Sequence, residues 1–311
     1  GLASCRRRPL SSNVRPHNST TMPRAKLWNW KTIAPGIGEV RLSNWKQFPD
    51  FVYQAMLDHE TYVWRGQRCD SWNLEPTLGR IIRTAKIART KQYDFTTNHL
   101  ENFKLAARGR RGSTPPKLET DDDWWALGQH HGLATPLLDW TTSPFVAAYF
   151  AYIDQGQAQT PKRAIYALHQ PTVETWAREK AFLENTERIS RLQKYEKGEI
   201  KIGLLEYARL KGTVSPEVQF IRPLSDENHR LVSQGGLFTR APTAITLEDW
   251  ISTHHPASDA ENTLIRVLVP NRDRESALRM LNRMNINHLS LFPDLSGASK
   301  FCNLHSEIDR Y

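Results

Sequence analysis

The chain has 311 residues, 39% of them hydrophobic and 24% charged. That is enough to bury a sizeable core and excludes global disorder. The longest apolar run, Phe145 to Ile153, is nine residues, about half of what a membrane-spanning helix requires, so no membrane partner is expected. Three widely spaced cysteines, Cys5, Cys69 and Cys302, include no CxxC pair, which argues against a disulfide scaffold and a cysteine-built zinc site. A reducing, cytoplasmic setting is expected.

Lys and Arg number 42 against 33 Asp and Glu, for a formal net charge of +9, and the excess is uneven. Residues 1–26 hold six basic residues, no acidic ones and almost nothing apolar, the composition of a disordered basic tail. Met22 could be a natural start within it; an acid-free, Arg- and Ser-rich opening also suits a transit peptide, and no apolar signal-peptide stretch is present. Residues 61–117 carry a second surplus. Arg80, Arg83, Lys86 and Arg89 recur every three residues, followed by Arg108, Arg110 and Arg111. Such a face suits nucleic-acid phosphates, although a solvated helix surface reads the same way.

Taken in chain order, Trp45 to His59 has helical spacing, with Ser43 and Asn44 ahead of it as N-cap candidates. Thr61 to Gly66 reads as a strand ending in a turn. Leu78 to Arg89 and Lys91 to Arg108 read as helices. Asp121 to Asp123 cap a helix from Trp124 to about His131, stopped by Gly132. Leu137 to Trp140 is a short buried strand or turn, Thr141 to Pro144 a cap and first turn, and Phe145 to Ile153 a buried helix whose Ala147, Ala148 and Ala151 permit close packing. Beyond it, residues 164–169, 218–221, 236–239, 264–269 and 287–291 read as strands, and 174–195, 200–211 and 273–285 as helices. The expected architecture is α+β: one mixed domain over about 40–305 with a strand-rich core and helical insertions near 78–120 and 174–211.

No Walker loop, GxGxxG, GxSxG or HExxH occurs, and the adjacent pairs His130-His131 and His254-His255 lack the helical spacing that would close on one metal ion. No metal is expected. Two polar segments stand out. In Trp64-Arg65-Gly66-Gln67 an Arg at a strand end beside Gly can offer its guanidinium to a bidentate anion with no Cβ in the way. A structural Arg bridging to a carboxylate is the alternative. The second segment, Gln129-His130-His131-Gly132-Leu133 and then Leu137-Leu138-Asp139-Trp140-Thr141-Thr142-Ser143-Pro144, sets polar groups between apolar stretches, where they must satisfy one another or serve a site.

At these segments the chain resembles the FRG domain family, named for a Phe-Arg-Gly motif that here is Trp64-Arg65-Gly66. Gln129 to Leu133, Leu137 to Thr141 and Ser143 to Ala151 are similar to the family's signature elements. Arg230, Gln234, Gly236 and Phe238 resemble its late element, and Leu291 to Gly297 its closing one. Thr135-Pro136 stands where many members have Thr-Arg. A second resemblance is to arginine-type ADP-ribosyltransferases, which place an aromatic-Arg-Gly at a strand end and Ser-Thr-Ser before an Ala-rich helix. It implies a core resembling that fold and NAD as substrate. Arg65, Gly66, Gln67, Gln129, Thr141, Thr142 and Ser143 would then bind the dinucleotide, and Arg65, His130, Asp139, Ser143 and Gln234 would serve the chemistry. Gln234 occupies the plausible place of the usual catalytic Glu, with Glu217 as the other candidate; Gln hydrogen-bonds a ribose but takes no proton, which leaves His130 or Asp139 as base. The expected activity is ADP-ribosyl transfer to a nucleic acid or nucleotide, with the basic 80–111 face tracking phosphates, in a toxin or phage-defence setting that the family implies. The alternatives are a non-enzymatic nucleotide or nucleic-acid sensor, and a nuclease using Asp139 and Asp294.

Overall fold

A computed structural model describes residues 28–112, 117–155, 160–212, 214–222, 233–242, 245–257 and 261–311. The basic tail 1–26 and Arg230 lie outside the described residues. Eight strands form one mixed sheet: β1 (Asn29–Ala34), β2 (Ile37–Arg41), β3 (Tyr62–Gln67), β4 (Leu137–Thr141), β5 (Lys162–His169), β6 (Gln219–Ile221), β7 (Gly236–Arg240) and β8 (Leu264–Pro270). Their order is β1-β2-β8-β5-β3-β4-β7-β6, antiparallel except for the parallel pair β2 and β8. Among the described residues no helix is long and apolar enough to cross a membrane.

The central strand β5 is covered on both faces, so Ala164 to Leu168 reads as an unbroken apolar run and not as an alternation. In β5, Ile165 and Ala167 join one core cluster while Ala164, Tyr166 and Leu168 join the other, the two-residue period of a strand. The first face is covered by α1 (Gln47–Phe51, continued as a π-helical turn to Met56), α5 (Pro144–Ile153), α9 (Arg274–Arg283), α10 (His288–Leu291) and α11 (Leu295–Glu307). The second is covered by the start of α6 (Gln170–Glu196) and by α8 (Leu247–His254). A third cluster lies under α2 (Thr77–Thr84), α3 (Gln92–Ala106) and α4 (Asp121–His130), and α7 (Leu204–Lys211) packs on α6.

Several sequence expectations change. Ser43 and Asn44 do not cap α1, whose N-cap is Lys46. Residues 78–89 do not form one helix: α2 ends at Thr84, and Lys86 takes the left-handed conformation with φ +53°. Asn287 to Leu291 is helical, because the Asn287 side chain accepts from the Ser290 amide while the Ser290 hydroxyl accepts from the Asn287 amide, a capping box that outweighs the apolar run. The β1–β2 hairpin and α8 carry no sequence expectation, and both belong to the packed fold. So do the buried Ile308 and Tyr311, beyond residue 305.

The hairpin reaches the sheet through a charged row. Glu39 on β2 lies opposite Lys31 of β1 and Arg266 of β8. Its carboxylate is 1% exposed, accepts from Arg41 Nε at 2.6 Å and from Arg266 Nε at 3.2 Å, and stands 3.7 Å from Lys31 Nζ. Burial pushes this carboxyl upward, but the hydrogen bonds from Arg266 and Arg41 outweigh it and hold the pKa below the ordinary glutamate value. A depressed folded pKa contributes stability above the unfolded value of about 4.3 and loses it as pH falls through the folded one. Glu39→Gln is therefore expected to cost on the order of 2 kcal/mol at pH 7 in urea unfolding. The gap between the variant and the parent should narrow as the pH is lowered below about 4. A gap independent of pH would show that the charge is not what Glu39 contributes.

Candidate functional site

Among the described residues β3 and β4 share a single pair, Trp64 opposite Thr141. Beyond it the strands diverge and leave a wedge in the sheet. Arg65 spans the wedge: its Nη1 donates to the Asp139 carbonyl at 2.8 Å and stands 3.4 Å from Asp139 Oδ2. Its Nε is buried with no acceptor, so the guanidinium keeps hydrogen-bonding capacity that the protein does not use.

A cavity of about 350 Å³ fills this wedge. Its polar wall comprises Arg65, Gln129, His130, Asp139, Thr141 and Gln234. Phe150, Phe238 and Phe292 give it an aromatic side, and Trp64, Gly66, Trp140 and Ala147 complete it. Local signals place each contributor. Thr120 and Asp123 form a capping box that starts α4, which delivers Gln129 and His130 at its last turn; Gly132, with φ +83°, then reverses the chain toward β4. Gly66 lets α5 lie directly on β3, since a Cβ there would stand 1.9 Å from the Ala147 carbonyl oxygen. The same close approach brings Phe150 to the cavity.

A hydrogen-bond chain orients the carboxylate. Thr135, fully buried, donates its hydroxyl to Gln129 Oε1, which turns Gln129 Nε2 onto Asp139 Oδ2 at 2.9 Å. Thr135 is itself fixed by Thr77, whose Oγ1 accepts from the Thr135 amide at 2.9 Å. Two donors, Gln129 and Arg65, thus converge on one oxygen of Asp139, while the side chain stays 56% exposed and open to a ligand. On the opposite wall Thr141 donates to the Gln234 carbonyl at 2.6 Å, and the Gln234 side chain donates to the Leu291 carbonyl at 3.1 Å.

Of the sequence-predicted residues, Arg65, Gly66, Gln129, His130, Asp139, Thr141 and Gln234 therefore line one cavity. Three do not. Ser143 is the N-cap of α5, accepting from the Val146 amide at 3.3 Å. Thr142 is exposed, with its amide on the Gly235 carbonyl. Gln67 is buried, with Nε2 turned toward the Asn73 carbonyl at 3.5 Å. The two carboxylate alternatives also lie elsewhere: Glu217 is tied to Lys180 and to Trp250 Nε1, each at 2.8 Å, and Asp294 caps α11 through the Gly297 amide. Burial raises the Glu217 carboxyl, yet the bonds from Lys180 and Trp250 outweigh it and keep its pKa below the ordinary value.

The aromatic wall and Thr135 escaped the search for site residues. Phe238 and Phe292 lie in the segments that resemble the family's late and closing elements, and Thr135 beside the second polar segment. None of the three carries a site role in the sequence, because a lone Phe in a short Leu-Phe pair reads as core and Thr135 before a proline reads as a turn residue. Among the described residues no group of three or more His, Cys, Asp or Glu is arranged to hold a metal ion. The basic 80–111 surface is not one face. Arg80 and Arg83 are on α2, Lys86 is in the turn, Arg89 precedes α3, and Arg108, Arg110 and Arg111 follow its end. The 15 residues of α3 separate the two groups, about 22 Å of helix.

Comparison with known proteins supports the first resemblance over part of the chain: the model of the FRG domain matches residues 60–160. That span covers β3 through α5 and so the wedge, Arg65, Gln129, His130, Asp139 and Thr141; Gln234, Phe238 and Phe292 lie outside it. No curated protein matches the chain, and no solved structure does. None of these comparisons connects the chain to ADP-ribosyltransferases.

Proposed function

We propose that the wedge between β3 and β4 binds NAD and that the chain cleaves its nicotinamide N-glycosidic bond, passing the ADP-ribosyl group to a nucleic-acid or nucleotide acceptor. The observation that carries this reading is the convergence of Arg65, Gln129, Asp139 and Gln234 on one cavity with an aromatic side. Phe150, Phe238 and Phe292 suit a flat ring. The guanidinium of Arg65, beside Gly66, suits a pyrophosphate, which would compete with the long 3.4 Å contact to Asp139.

Cleavage develops positive charge on the ribose C1′ as its bond to nicotinamide breaks and the electron pair leaves with nicotinamide. A carboxylate oriented by Gln129 stabilises that charge better than a mobile one, because no reorganisation is needed as the reaction proceeds. The acceptor oxygen or nitrogen then bonds to C1′ and gives its proton to Asp139 or His130, the titratable groups on the wall besides Arg65. Gln234 contributes hydrogen bonding to the ribose and no proton transfer.

The test is labelled NAD incubated with the full chain and with DNA, RNA and protein, beside Arg65→Ala. Nicotinamide release is expected from the parent, and release about a hundredfold slower from the variant, with both proteins folded by circular dichroism. Absence of release from the parent with every acceptor would reject the transferase reading. Because Gln234 stands where a proton-accepting Glu would serve, a second reading is a nucleotide-binding module without turnover. NAD binding by calorimetry, lost in Arg65→Ala and unaccompanied by release, would select it.

A further inference from the structure

α6 runs for 27 residues, about 40 Å, and its buried residues, Val173, Ala177 and Ala181, all lie in its first half. Beyond them α7 and the segment after it close a second side of the helix: Asn185 Nδ2 donates to the Val214 carbonyl at 2.9 Å, and Arg191 pairs with Glu206. The side facing away from both carries an apolar strip. Phe182, Leu183 and Ile189 on it are 70%, 64% and 49% exposed, and grouped apolar exposure of this kind marks a contact surface more often than a scattered residue does.

At about 100° per residue, Glu179, Phe182, Thr186, Ile189, Gln193 and Lys197 fall within about 80° of one another, so they form one stripe along the helix. Its two ends carry opposite charge, Glu179 toward the sheet and Lys197 at the C-cap, about 27 Å apart. Neighbouring charges are answered within the chain: Arg178 is held by Glu174 at 3.0 Å and Lys180 by Glu217 at 2.8 Å. Among the described residues, Glu179 and Lys197 have no ion-pair partner.

We propose that this stripe pairs two copies of the chain, antiparallel, about a two-fold axis between residues 187 and 188. Glu179 of each copy then meets Lys197 of the other, so the contact is made twice, whereas a parallel pair sets like charges together. Ile189 of one copy falls beside Thr186 of the other, which brings the two Ile189 side chains together near the axis. The short side chains of Thr186 and Ser190 let the helices approach there, and Phe182 and Leu183 flank the centre on each side. Glu196, on the other rim, falls toward Arg178 of the second copy. The sheet lies behind α6 in both copies, away from the contact. One helix face is a small interface, below the size of permanent dimers, so the association depends on concentration.

The experiment is sedimentation velocity of the full chain over roughly 1 to 300 µM, the range suited to an interface of this size. The parent is expected to pass from one chain mass toward two. Ile189→Asp and, separately, Phe182→Asp should stay at one chain mass throughout; both side chains are exposed, so circular dichroism should not change. Glu179→Lys alone and Lys197→Glu alone each set like charges together at both ends and should weaken association about tenfold. The two substitutions combined should restore it to within about threefold of the parent. A parent that remains at one chain mass up to about 300 µM overturns the inference and leaves the strip to another occupant. Association unchanged in both apolar variants overturns it by placing the contact elsewhere. A combined charge variant as weak as the single ones overturns the antiparallel pairing.

Discussion

Under the proposed transferase reading, Asp139→Asn is expected to slow NAD cleavage by about a hundredfold or more while moving the melting temperature by only a few degrees. Asn keeps a carbonyl oxygen where Gln129 Nε2 now donates to Oδ2, so the hydrogen-bond chain from Thr77 through Thr135 and Gln129 survives. What disappears is the negative charge and the proton acceptor that the proposed reading sets beside the ribose. The stability effect is small because the side chain is 56% exposed and its contact with Arg65 is long; exposed pairs of this kind contribute up to about 1 kcal/mol. Single-turnover nicotinamide release, with melting followed by circular dichroism, separates the two quantities. Release at the parental rate would remove Asp139 from the chemistry and leave His130 as the proton acceptor on that wall.

Gly66→Ala is expected to cost about 3 kcal/mol or more in folding free energy. The added Cβ would stand 1.9 Å from the Ala147 carbonyl oxygen and 2.5 Å from the Ala151 amide nitrogen. Both are backbone atoms of α5, so no side-chain rotation relieves the clash; the helix itself must move off β3. That displacement would loosen Tyr149 and Tyr152, which are fully buried in the main core, and would also shift Phe150 at the wedge. Urea unfolding monitored by tryptophan fluorescence reads the loss. A variant within about 1 kcal/mol of the parent would mean that the helix and strand are not in backbone contact. This role of Gly66 differs from the one inferred from Arg-Gly spacing, where the missing Cβ was to admit a ligand; in the fold it admits a helix.

Elements bounded by short-range chemistry were legible in the sequence. The sequence places the helix carrying Gln129 and His130 from Trp124, behind Asp121 to Asp123. It starts at Asp121, with Thr120 as N-cap and Asp123 closing the capping box, and Gly132 follows its end as expected. Helix α5 is started by Ser143 and Pro144. Each signal acts within a few residues, so it survives without knowledge of the fold. β1 and β2 are the opposite case. Glu39 is a charged residue buried inside a strand; Arg41 is close to it in sequence, but its other strong partner, Arg266, is brought to it from β8 by the fold. Nothing near Glu39 in the sequence announces Arg266. The helix expected over 78–89 changed for a related reason: a three-residue period suggests one helix, but the chain takes a left-handed turn at Lys86, and Arg108 to Arg111 lie at the far end of α3.

For the candidate site, the sequence by itself marked two polar segments and, within them, Arg65, Gln129, His130 and Asp139. Their common location, and the sorting of their neighbours, was decided by tertiary structure alone. Thr141, Thr142 and Ser143 are equivalent as a sequence, three hydroxyls in a row. One ends β4 and lines the wedge, one is exposed, and one caps α5. Strand-to-helix geometry turns successive side chains in different directions, and the direction of each depends on where the strand stops. The wedge itself has the same origin. It opens because β3 and β4 pair at Trp64 and Thr141 and then part, while β3 stays paired with β5 and β4 with β7 along their lengths.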